Sequence, residues 1–117
     1  MISQAGIDKV YLACGSTDMR KSIDSLAAIV QESFDLDPFS SCLFVFCNKN
    51  RNKLKILQWE LNGFWLHYRR LEKGVFQWPK ESSGPLKIGI RELNWLLDGL
   101  SLNQKQAHRK VNAKIAI

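Results

Sequence analysis

The stretch from residue 42 to residue 68 constrains the fold of this chain more than any other. It opens on CLFVFC, an almost wholly apolar run that extends over 42–48 and is too short for an ordinary helix. Such a run reads as a central strand covered on both faces. Residues 48–52 are polar, with Asn50 and Asn52 flanking Arg51, as in a hairpin loop. In residues 53–60, Leu54 and Ile56 alternate with Lys53 and Lys55, which predicts one buried face and one basic face. Asn62-Gly63 is a strong hairpin signal, after which Phe64, Leu66 and Tyr68 alternate with Trp65 and His67. Lys73-Gly74 marks a further turn, and residues 75–78 read as a fourth strand that Pro79 ends. The expectation is a four-stranded antiparallel meander.

The flanking segments add helices. Residues 10–13 are short and partly β-branched and predict a strand. After the turn-rich Gly15-Ser16-Thr17-Asp18, apolar residues recur at three- and four-residue steps (Met19, Ile23, Leu26, Ala27, Val30, Phe34), a helical period with Asp18 or Ser22 as the N-cap. Asp37-Pro38 stops that helix near Asp35. Residues 81–85 form a polar linker. A second helix runs from Ile90 or Arg91 to about Asp98, with Gly99 placed to end it. The predicted fold class is α+β: an N-terminal strand-helix, a four-stranded antiparallel meander and a C-terminal helix covering one sheet face. A chain of 117 residues suits one such domain, over 1–100, followed by a basic C-terminal tail at 101–117 that is mobile or folds against a partner.

The formal charge of +6 is unevenly placed. Residues 1–48 carry −3, residues 49–80 carry +6 and residues 81–117 carry +3. A basic middle beside an acidic start suits a polyanion partner, or a self-complementary oligomer surface. No apolar run approaches the ~18 residues of a membrane helix, and the first ten residues show no secretory pattern, so a cytoplasmic protein is expected.

Catalytic and metal-binding patterns are missing. The three cysteines, Cys14, Cys42 and Cys47, have no C-x-x-C spacing and read as buried thiols. His67 and His108 make no ligand pair. Asp18 and Asp24 stand six apart, a spacing that does not put both on one helix face, and better suit caps and solvated carboxylates than metal ligands. The Gly15-Ser16-Thr17 loop lacks the lysine of a phosphate-binding loop. No enzyme, cofactor or metal is expected.

What remains is an interleaving of rings with cations. Trp59, Trp65, Tyr68, Phe76 and Trp78 alternate through a region holding Lys53, Lys55, Arg69, Arg70 and Lys73. Nucleic-acid binders use cations for phosphates and rings for bases, although strand aromatics are commonly core. The candidate nucleic-acid-binding residues are Lys49, Arg51, Lys53, Lys55, Trp65, Arg69, Arg70 and Lys73, chosen for charge and placement. The sharpest question is whether Trp65 and Arg69 are exposed together.

The stretches VYLACGSTDMRKSIDSLAAIV, LFVFCNKNRNKLKILQWELNGFWLHYRRLEKGVFQWP and IRELNWLLDGL, in that order, resemble the small Orf2-like accessory proteins (TnpB) of the IS66 insertion-sequence family. The resemblance covers roughly residues 9–100. It implies a bacterial mobile element whose separate, larger transposase carries the catalytic acids, and an accessory role without assigned catalysis. Ser22 and Ser25 stand where the family commonly has glycine, His67 replaces an aromatic, and Val75 and Gln77 replace basic residues. Two readings follow: the domain contacts DNA through a basic aromatic sheet face, or it is a scaffold that docks the element's transposase. A third, a metal-dependent nuclease, would show as cleavage with added magnesium or manganese.

Overall fold

The computed structural model describes residues 6–80 and 82–99. A short strand, β1 (Lys9–Leu12), leads through a loop into α1 (Ile23–Ala28), which continues as a π turn at Ile29–Ser33. The chain returns as β2 (Cys42–Cys47), β3 (Lys53–Glu60) and β4 (Gly63–Arg70), and ends in β5 (Leu86–Ile88) and α2 (Ile90–Leu97). The strands form one sheet in the order β4-β3-β2-β1-β5. β1 and β2 are parallel, as a strand–helix–strand crossover through α1 requires, and the other three pairings are antiparallel.

The α+β class stands, with both faces of the sheet covered. In β2 every residue after Cys42 is buried. Leu43, Val45 and Cys47 join Val10, Leu12, Leu54 and Ile56 in a core closed by Leu93 and Leu96 of α2 and by Phe76 and Trp78. Phe44 and Phe46 point the other way, into a second core with Leu57 and with Leu26 and Val30 of the helical segment. Period-two alternation thus places Cys42 and Cys47 on opposite faces.

The fourth meander strand does not form. Gly74 (φ +77°) swings residues 75–78 across the face of the sheet instead of along the outer edge of β4. The Phe76 N–H donates to the Arg51 carbonyl (2.7 Å) and the Trp78 N–H to the Phe76 carbonyl (2.9 Å), leaving no ladder. The Trp78 indole donates to the Ala13 carbonyl at 3.1 Å, pinning this strap to the end of β1. The sheet gains β5 instead, a three-residue strand just before α2 that carries no periodic signal. The first helix starts at Ile23 with Ser22 at the N-cap position, the later of the two caps the sequence offers, so Met19 lies before it. Ser22 makes no capping side-chain bond, and Asp18 accepts the Arg20 N–H (2.9 Å) rather than one from the helix. The helical segment ends at Ser33, and Asp35 just beyond it takes the left-handed region at φ +56°, close to the stop that Asp37-Pro38 predicts. The tail at 101–117 lies outside the described residues.

Two local features carry measurable energy. The Lys55 ammonium donates to the carbonyls of Met19 (2.7 Å) and Lys21 (2.8 Å), stapling the loop before α1 to β3. The β3–β4 turn is built on Leu61 and Asn62, since Glu60 pairs with Gly63, one residue earlier than Asn62-Gly63 predicts. Leu61 therefore takes φ +58°, almost wholly exposed, where glycine would fit without strain. Lys55→Met should lower unfolding stability by about 1.5 kcal/mol in urea denaturation, since bonds from charged donors are worth more than neutral ones. Leu61→Gly should raise it by about 0.5–1 kcal/mol in the same assay, relief of the left-handed strain outweighing glycine's entropy.

Candidate nucleic-acid interface

The basic side chains come from three segments that long-range hydrogen bonds gather at one end of the sheet. Asn48 organises the central one: its Oδ1 accepts the N–H groups of Asn52 and Lys53, both at 3.0 Å, and its Nδ2 donates to Asn52 Oδ1. Within this turn Arg51 holds φ +60°. The segment after β4 is tied to the turn by Leu71 N–H to the Asn52 carbonyl (2.8 Å) and by the Phe76 bond to Arg51. The loop before α1 joins through Thr17 N–H to the Cys47 carbonyl (2.7 Å) and through Lys55.

Residues 15–21, 48–55 and 69–74 together carry nine lysines and arginines against two carboxylates, Asp18 and Glu72. Both carboxylates are already paired. Asp18 holds Arg20 with a shortest contact of 2.7 Å, and the Arg20 guanidinium keeps its carboxyl at about 2. Glu72 accepts from Arg70 at 2.8 Å. Among the described residues Lys49, Arg51, Lys53, Arg69 and Lys73 form no ion pair. Arg20 and Lys21 belong by sequence to the acidic first third, and the Thr17–Cys47 bond and the Lys55 staple, each spanning thirty positions or more, bring them here.

The predicted residues do not share one sheet face. Lys53, Lys55 and Arg70 lie on the α1 side, and Trp65 and Arg69 on the α2 side, as the cross-strand pairs Lys53–Arg70 and Leu54–Arg69 require. Lys49 and Arg51 are in the turn, and Lys73 is in the loop after β4. What they share is an end of the sheet. Trp65 and Arg69 are indeed exposed on the same side of β4, Trp65 by 57%. The Trp65 indole donates to Glu60 Oε1 (2.9 Å), and its ring stacks on His67 with centroids 6.1 Å apart. His67 Nε2 lies 2.8 Å from Gln58 Oε1, and burial lowers its pKa, so the ring is neutral at pH 7. Of the other rings, Phe76 and Trp78 are core.

The opposite end is acidic. Asp8, Asp35, Asp37 and Glu60 gather where β1 and β2 begin and β3 ends, outnumbering Lys9 at the start of β1, about 24 Å from the basic end along β3. Phe39, Trp59 and Phe64 form a ring cluster there with centroids 5.0–5.4 Å apart, beside an open cavity of about 520 Å³. Phe39 is 54% and Leu61 90% exposed.

No three metal-ligating side chains converge among the described residues. Burial pushes the Cys47 thiol up to about 12, far from a reactive thiolate. No described helix is long and apolar enough to cross a membrane.

Known proteins supply the remaining observation. The family described as IS66 Orf2 like protein matches residues 8–107. The uncharacterized protein y4hO of Sinorhizobium fredii (strain NBRC 101917 / NGR234) is 37% identical over 98 residues, covering 84% of this chain and 85% of that one. The uncharacterized protein y4jC of the same strain is 29% identical over 92 residues, 79% of each chain. No solved structure matches significantly. With the family pattern spanning the whole sheet and both helices, the chain belongs to the IS66 Orf2-like family, an accessory protein family of insertion sequences.

Proposed function

We propose that this protein assists transposition without catalysing it, holding DNA by its phosphates at the basic end of the sheet. The supporting observation is the separation of charge: nine cations and two paired carboxylates at one end, acids at the other. Screening decides that the two ends act independently, because the ~8 Å Debye length at physiological salt is a third of the distance between them. A polyanion therefore meets the basic end almost undiminished. The contact comprises Lys49, Arg51, Lys53, Arg69, Arg70 and Lys73, which lie on both sides of the sheet end, an arrangement that suits phosphate neutralisation rather than base readout. Lys55 is occupied by two carbonyls, and Trp65 stands roughly 14 Å along β4 from Arg69, so neither belongs to this contact.

The docking of the element's transposase is a second reading, favoured by the exposed Phe39 and Leu61 at the acidic end. A fluorescence anisotropy titration of duplex DNA over a salt series separates the two. The five cations of this contact without an ion pair among the described residues, all but Arg70, predict a log–log slope near −4.5, roughly a 500-fold loss of affinity between 50 and 200 mM salt. The double variant Lys49→Ala, Lys73→Ala should reduce that slope by about two. Absence of binding at 50 mM salt, with retention of the transposase on the immobilised protein, would leave the docking reading.

A further inference from the structure

We infer that the outer edge of β4 pairs antiparallel with β4 of a second copy, joining two sheets into one of ten strands about a two-fold axis at His67. The inference does not require DNA binding, and it is compatible with it: a ring packed on the flat face of the Arg69 guanidinium leaves its N–H edge for a phosphate. It starts from the missing fourth strand: because residues 75–78 cross the sheet face, β4 is the terminal strand of the sheet. Its eight residues pair without interruption with β3 on one side and with nothing among the described residues on the other. Natural sheets blunt such edges with short strands, charged side chains, prolines or bulges, or cover them, and the charges of β4, Arg69 and Arg70, stand together at one end and leave 63–68 uncharged at neutral pH. β5, at the opposite edge, is three residues long, whereas β4 has full length, no proline and no bulge in its register.

The side chains fit a second copy. A two-fold axis normal to the sheet keeps each face continuous, so directly opposed residues must come from the same face and their numbers must sum to an even value. Centring the axis on His67 uses the strand from Phe64 to Arg70 and opposes Trp65 to Arg69, Phe64 to Arg70 and Leu66 to Tyr68. The two arginines that would repel in a parallel arrangement are then carried to opposite ends, each facing a ring of the other copy, in reach of a cation–π contact. Trp65 and Tyr68, 57% and 54% exposed in the single chain, each gain a cover. Burial keeps the two His67 rings at the axis neutral at pH 7, so they do not repel.

Disulfide trapping tests the register. Opposed residues in an antiparallel pair have Cα atoms about 4.5–5.5 Å apart, within disulfide reach. Under mild oxidation His67→Cys should form a dimer linked through position 67, whereas Lys87→Cys on the β5 edge and the unaltered chain should not. Sedimentation of the unaltered chain should give twice its 13.4 kDa at micromolar concentration, and Arg69→Glu should weaken the dimer at least tenfold. A chain that sediments as a monomer at about 100 μM overturns the inference. So does a dimer whose His67→Cys variant fails to cross-link.

Discussion

The double-sided burial of β2 is the constraint on which the rest of the molecule depends. CLFVFC offers no polar side chain to either side, so a sheet built on it must be covered twice. The chain meets that demand with two different devices. The crossover between parallel β1 and β2 places α1 on one face, and α2 together with the 75–78 strap closes the other. With both faces occupied over the central strands, charged side chains are left the strand ends, the loops and the outermost strand.

That displacement explains how the function-bearing chemistry is arranged. The strand ends alternate along the chain, so segments distant in sequence meet at the same end. One end collects the loop before α1, the Asn48 turn and the exit from β4, and the other collects Asp8, the 35–41 loop and Glu60. An accessory protein of a mobile element built this way has two chemically opposed poles.

Much of this was legible in the residues, and the parts that were not have physical causes. The hairpin of β3 and β4 followed from alternation and from Asn62-Gly63, although the turn sits one residue earlier and forces Leu61 into a left-handed conformation. The strand pattern of residues 75–78 misled because Phe76 and Trp78 alternate for burial against the sheet face, not for pairing within it. β5 is held by three residues of partnership with β1, too few to leave a periodic trace. A shared basic face could not survive the register, which sends Arg69 and Arg70 to opposite sides as neighbours in a strand must go. Lys55 carried the right charge but a structural task, visible only once Met19 and Lys21 are beside it.

The central claim is that charge sorted to the two ends of a doubly covered sheet places the polyanion contact at the Asn48 end. Amide chemical-shift mapping by NMR during titration with a short duplex, in low salt, tests it most directly. The account predicts perturbations confined to residues 48–53 and 69–74 and the loop at 15–21, with 35–41 and 60–62 unmoved. Perturbations centred on the Phe39–Trp59–Phe64 cluster, or none anywhere, would contradict it.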